Sequence, residues 1–322
     1  MKEQRSLSHK QKLSNPNGIM RLLSPWDILE EGLRIAGVET SSISMEAKNE
    51  DFRSHYGASP LTLASQWFDL TKTDIPEAQL TAKEESTKGF KMFLIAHFFL
   101  WNYPKNSKVL KTRFKICDRY ARGEPLWKWI RKISALKAKV IVWKPRTTRG
   151  TNDRTIYSIT VDGTDCRVWE KKHPLLNQDK KQFSKKFNHG ALKYEIALSV
   201  FENKCVWISG PHRGGEHDMT IFRQELKQKI EPHQKVIADR GYISTLDDEK
   251  MLSTPNPFDD KELSNFKSRA RLRQETFNGR LKNYTILDAT FRHGEAKHKI
   301  AMVAVCVTVQ YEMDNGSPLF DP

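Results

Sequence analysis

The sequence predicts an α/β protein, a mixed β-sheet flanked by helices and preceded by a helical region. Three observations carry this. Apolar residues recur at three- and four-residue steps between 86 and 140. Near residue 140 the apolar period changes from 3.6 to 2. Beyond it come three strand-like runs, a helix, a strand ending in an acid, and another helix, the order of a mixed sheet with helices packed on it.

Residues 1–85 are the least readable part of the chain. Ser14-Asn15-Pro16-Asn17-Gly18 reads as a turn or linker, 26–37 show short helical periodicity, and the polar stretch 38–60 is expected to be irregular. From 86 the pattern is helical. Phe90, Phe93, Leu94, His97, Phe98 and Trp101 share a face, and Pro104 stops that helix. A second helix is expected over about 107–120, with Leu110, Phe114 and Cys117 on one side. Gly123-Glu124-Pro125 supplies a break and a proline suited to a first helical turn. The third helix turns Trp127, Ile130, Ile133 and Leu136 inward and leaves Lys128, Arg131, Lys132 and Lys137 exposed. Three short helices with cations on the last suit a helix-turn-helix-like region entering a DNA groove, an ordinary helical subdomain being the alternative.

Strands are expected at 139–143, 155–161, 192–200, 205–208 and 235–238, with Glu202-Asn203-Lys204 as a hairpin turn. Helices are expected at 218–229, 264–283 and 294–311. The resulting division is a poorly defined segment 1–85, a helical region 86–140 and an α/β domain 141–322.

Charge narrows the function. The 322 residues carry a formal net charge of +15, which favours nucleic acid or another anionic surface as partner. The excess is local: residues 101–150 hold 15 lysines and arginines against Asp118 and Glu124, and a second basic cluster lies at 267–282. A solvated lysine-rich face is the bland alternative. Cys117, Cys166, Cys205 and Cys306 form no C-x-x-C pair, which argues for a reducing compartment and against a disulfide framework or zinc knuckle. No apolar run reaches the ~20 residues of a membrane span. The basic start (Lys2, Arg5, Lys10, Lys12) has no apolar core after it, so neither a secretory signal nor a membrane partner is expected.

The chemistry centres on three acids. Asp162, in Val161-Asp162-Gly163-Thr164, and Asp239, in Ala238-Asp239-Arg240-Gly241-Tyr242, each end a strand-like apolar run, where open α/β sheets present functional groups. Glu275 lies on a helix face with Arg271, Asn278, Gly279 and Lys282, while Phe266, Ala270, Phe277 and Leu281 form the opposite, core-facing stripe. Either aspartate alone reads as readily as a turn former or cap. Together, three carboxylates would repel one another unless cations neutralise them. Hard oxygen ligands select Mg²⁺ or Mn²⁺, and two such ions can activate a water or a 3′-hydroxyl at a phosphodiester. Other motifs carry less: His293 and His298 are too loosely spaced for a zinc site, and Gly210 to Gly215 lacks a P-loop ending.

Four blocks in order resemble a known family. Asp162-Gly163-Thr164, the run Gly210 to Asp218 with its Gly-Gly-Glu-His-Asp ending, Ala238 to Tyr242, and Arg273-Gln274-Glu275-Thr276-Phe277 with Leu281-Lys282 are similar to the blocks of DDE transposases of the PIF/Harbinger class. The 35 residues between Asp239 and Glu275 also suit that family. The likeness covers about 155–312 and extends loosely over 88–140. It implies an RNase H-like fold and a transposase or endonuclease that cuts and joins DNA. Asp162, Asp239 and Glu275 would then be the catalytic, metal-binding triad for two Mg²⁺ or Mn²⁺ ions, with Asp218 supporting them from behind; a helix cap is the alternative for His217 and Asp218. Lys111, Arg113, Arg131 and Lys132 are the candidate phosphate contacts, and Arg271 and Lys282 would hold DNA near the acids. The implied partners are transposon ends and target DNA, a Myb-like protein and further copies of the chain, in the nucleus if the host is eukaryotic and otherwise in the cytoplasm. Two alternatives stand beside this: a domesticated, non-catalytic DNA-binding protein, and an RNase H-like nuclease without strand transfer.

Overall fold

Serine caps open the helices of the first half. Ser24, Ser44, Ser59 and Ser86 each accept a backbone N–H three residues on, starting α1 (Pro25–Ala36), α2 (Met45–Tyr56), α3 (Pro60–Lys72) and α4 (Thr87–Asn102). Gly57 ends α2 in the left-handed conformation, φ 72°. A computed structural model describes residues 23–144, 156–169, 183–242, 251–254, 256 and 258–322. The turn at 14–18, the basic residues Lys2, Arg5, Lys10 and Lys12, and the loop 145–155 lie outside these. Helix α2 stands where an irregular stretch was expected, because only Phe52 and Tyr56 of its twelve residues are buried and no apolar rhythm shows. The expected helix at 107–120 is two pieces, α5 (Lys108–Phe114) and α6 (Asp118–Arg122), interrupted by Lys115 at φ 49°. Helix α7 (Glu124–Ala135) buries Trp127, Ile130 and Ile133 as expected, and Trp129 besides. A short helix, α8 (Lys137–Val140), replaces the strand expected at 139–143.

The described residues fall into two compact units. The first takes those up to Ala138 with Tyr284–Ile286 and Ile300–Asn315; the second is Lys139–Asn283, Leu287–Lys299 and Gly316–Pro322. The core of the first is aromatic: the Trp67 ring meets Phe90 at 5.1 Å, Phe93 at 5.4 Å and Trp129 at 6.1 Å between centroids. Lys132 departs from its expected exposure. It is buried, with Nζ donating to the Gln79 carbonyl at 2.6 Å and pairing with Glu84 at 3.4 Å.

The second unit holds a mixed sheet. Strand β1 (Tyr157–Arg167) pairs antiparallel with β3 (His189–Ser199) from Ile159↔Ser199 to Arg167↔Ala191, and β3 pairs antiparallel with β4 (Cys205–Arg213) and with the short β2 (Phe183–Ser184). On the far side of β1, β5 (Lys235–Ile237) and then β6 (Leu252–Ser253) run parallel to it. Helices cover both faces. Met219 and Phe222 of α9 (Asp218–Gln224) pack on Ile159, Val161, Ala197, Val206 and Val236. Phe266 and Ala270 of α10 (Lys261–Lys282) join Tyr157, Val200 and Ile237. The short α11 (Thr285–Asp288) and the long α12 (Glu295–Asp314) follow. Among the described residues, no helix is long and apolar enough to cross a membrane.

Strand β1 runs six residues beyond the expected end at 161, because β3 pairs with it from Ile159 through Arg167. Asp162 is therefore a mid-strand residue opposite Ile196, not a strand-end one. Asp239 does sit just past its strand, β5, and the expected helix 218–229 is α9 followed by the 3-10 turn Leu226–Lys229.

Candidate active site

Strand alternation sends Asp162 to the face covered by α10, and its neighbour Gly163 to the face covered by α9. On the α10 side, Asn278 Nδ2 donates to Asp162 Oδ2 at 2.8 Å, while the Gly163 N–H donates to Oδ1 at 2.8 Å. Burial pushes the Asp162 carboxyl up to about 6; the Gly163 N–H opposes this, and the Asp218 and Asp239 charges reinforce it.

One face of α10 addresses the acids. Arg271, Glu275 and Asn278 are spaced four and three residues apart, so they stack along one side of the helix. The Arg271 guanidinium donates to Asp239 Oδ1 at 3.1 Å and stands 4.0 Å from Glu275 Oε1. Helix α10 thus reaches Asp162 through Asn278 and Asp239 through Arg271, with Glu275 between the two. Its register is set by Asp260, which caps it by accepting Leu263 N–H at 2.7 Å, and by buried side chains behind that face. Thr160 Oγ1 donates to Gln274 at 2.7 Å, and Arg273 Nη1 donates to the carbonyls of Ser199 and Val200 at 3.1 and 2.5 Å.

On the α9 side, Asp218 presses against the strand. A Cβ on Gly163 would lie 2.7 Å from Asp218 Oδ1, so any side chain after Asp162 would push the Asp218 carboxylate away from the strand. Lys193 holds Asp218 there, its ammonium donating to Oδ1 at 3.0 Å and to the Glu216 carbonyl at 2.7 Å. Among the described residues, the His217 side chain makes no capping hydrogen bond. Glu195, opposite Gly163 and Ser209 in register, is buried, and burial, with the Glu225 charge after it, pushes its carboxyl up to about 8.

The basic residues singled out by sequence are placed differently from one another. Lys282 is held within its own unit, donating to the Asp165 carbonyl, to the Leu287 carbonyl at 3.1 Å and to Cys166 Sγ at 3.2 Å. Arg271 serves the acids. In the helical unit Lys111 pairs with Asp118 at 3.0 Å, Arg131 pairs with Glu124, and exposed Arg113 lies over the Phe98 ring at 5.4 Å. Sequence reasoning missed Lys193 and the contact made by Asn278. The available signal for Lys193 was its position with Glu195 as two charges inside an otherwise apolar run, 191–200.

Among the described residues, no group of three His, Cys, Asp or Glu side chains is arranged to hold a metal ion. The donor chemistry nevertheless fits a hard divalent cation. The acids are carboxylates, burial and, after it, neighbouring negative charge hold the Asp162 carboxyl high, and among the described residues Asn278 Oδ1 is buried without a hydrogen-bond partner. Arg271 lies 3.1 Å from Asp239 and 4.0 Å from Glu275, so an internal cation already stands beside both acids.

Helices on both faces of a mixed sheet, one of them contacting Asp162 and Asp239, define an α/β domain. Residues 161–310 match the family model described as DDE superfamily endonuclease, and a domain of that family is found over this span. Asp162, Asp218, Asp239 and Glu275 all lie within it. Comparison with the curated proteins and with the solved structures gives no match.

Proposed function

We propose that the chain is a DNA-directed phosphoryl transferase, an endonuclease and transposase that cuts and joins phosphodiester bonds at Asp162, Asp239 and Glu275. The observation that carries this is the single face of α10, whose Arg271, Glu275 and Asn278 serve or flank the two strand-side aspartates inside a DDE endonuclease domain. The strand order β4-β3-β1-β5-β6, three antiparallel strands and then two parallel to the first, supports an RNase H-like reading of the sheet. Asp162, Asp239 and Glu275 would hold the divalent cations. Bound there, Mg²⁺ or Mn²⁺ would supply an activated water or 3′-hydroxyl and neutralise the leaving oxygen. The protein's own part is positional. Asn278 and the Gly163 N–H orient the Asp162 carboxylate, Lys193 keeps Asp218 against Gly163, and Arg271 offers a guanidinium suited to a phosphate oxygen. The helical unit is the DNA-binding region in this reading, with Arg113 as its most available phosphate contact.

The test is nicking of supercoiled plasmid by the full-length chain in Mn²⁺, beside Asp239→Ala and Glu275→Ala. Nicking by the wild type that disappears in both variants is expected. Activity surviving both substitutions overturns the site. No nicking with salt-sensitive DNA binding retained favours a non-catalytic DNA-binding protein.

A further inference from the structure

Asn278 does more than orient Asp162. A carboxylate only accepts hydrogen bonds, so the contact at 2.8 Å fixes the amide: its NH₂ faces Asp162 Oδ2 and its Oδ1 is turned elsewhere. That Oδ1 is buried and, among the described residues, has no hydrogen-bond partner. Buried amide oxygens are nearly always satisfied by a protein donor or an ordered water, and one that is not calls for an explanation such as an ion. The neighbours on its helix face do not supply one. Glu275, one turn back, is itself an acceptor, and Arg271, two turns back, is directed to Asp239 at 3.1 Å.

We propose that the Asn278 amide oxygen is a ligand of the divalent cation at this site, alongside Asp162 and Glu275. The assignment rests on the phosphoryl-transfer reading above. Amide carbonyls are ordinary ligands of hard divalent ions. A neutral oxygen also suits a site already crowded with carboxylates, where a further negative charge would add repulsion in the metal-free protein. The competing role is orientation alone, through the hydrogen bond to Asp162. Substitution separates the two. Asn278→Asp keeps an oxygen ligand and removes the NH₂ donor; Asn278→Ala removes both.

The experiment is Mn²⁺ binding to the full-length chain, measured by calorimetry and by the electron paramagnetic resonance of free Mn²⁺. Wild type, Asn278→Ala, Asn278→Asp and Glu275→Ala are compared, with circular dichroism checking each fold. Asn278→Ala is expected to weaken Mn²⁺ binding about 10-fold or more. Asn278→Asp is expected to bind within a few-fold of wild type or tighter. Two results overturn the proposal while leaving the acid site intact: Asn278→Asp falling as far as Asn278→Ala, or Asn278→Ala binding as wild type does. Mn²⁺ binding indifferent to Glu275→Ala overturns the site reading, and this proposal with it.

Discussion

Asp162 shows how burial can load a single residue. Its carboxyl is raised from 3.8 to about 6 by burial, against the Gly163 N–H and with the charges of Asp218 and Asp239 adding to it. The folded chain therefore holds this proton more tightly than the unfolded chain does. Stability contributed here is present in acid, falls as pH rises from about 4 to about 6, and does not return above that. Asp162→Asn keeps the shape and removes the charge. In metal-free buffer at pH 7.5 it should raise unfolding stability by about 1–3 kcal/mol while abolishing nicking. Denaturant melts at pH 7.5 and at pH 4 check this, because the gain should shrink at the lower pH, where the native wild type is already protonated. An equal gain at both would mean that the charge is not what strains the site. Sequence made Asp162 legible as an isolated acid on an apolar run. It did not reveal what the following glycine packs against, which is Asp218, 55 residues beyond Gly163 along the chain.

Helix α10 is the element on which the site depends. Its outward face can serve the acids only while its inward face stays in register, and Arg273 is a principal anchor. That guanidinium is buried and donates to three carbonyls around the β3–β4 turn, those of Ser199, Val200 and Glu202. Arg273→Met would leave these acceptors without their donor, so a loss of about 2–4 kcal/mol is expected. Arg273→Lys should rescue little of it, since an ammonium cannot spread its donors as the planar fork does. Thermal unfolding of both variants tests the point, and a lysine variant as stable as wild type would show that charge alone anchors the helix. Elements with a strong rhythm were legible: α4, α7, α10 and the β3–β4 hairpin with its turn at 202–204. Helix α2 was not, because its signals are a serine cap and a terminal glycine rather than a buried stripe. The extra length of β1 was also hidden. Pairing with β3 holds it through Gly163, Thr164 and Asp165, where its own composition reads as a turn.

For the whole molecule, charge is more evident in sequence than in availability. The net +15 concentrates in the helical region, yet several of those cations already have partners. Lys128 pairs with Glu84 at 2.7 Å, Lys132 pairs with the same carboxylate and donates to Gln79, and Lys111 and Arg131 pair with Asp118 and Glu124. Desolvation opposes ionisation of Glu84, but Lys128 and Thr81 outweigh it and hold the carboxyl at about 2. The exposed pairs are weak, worth about 0–1 kcal/mol each, and can exchange an acid for a phosphate. The Lys132 contact is interior and has no such freedom. Two alanine substitutions in one basic block should therefore act on different properties. Arg113→Ala should lower the magnitude of the slope of log Kobs against log salt for DNA by about 0.9, the share of one phosphate contact, with the unfolding transition nearly unchanged. Lys132→Ala should leave the slope alone and lower the melting temperature, because Glu84 and the Gln79 carbonyl lose a buried donor. Salt titrations of DNA binding with parallel melts decide the matter. Equal slope changes from both would mean that the two cations reach DNA alike and that the burial of Lys132 does not govern its role.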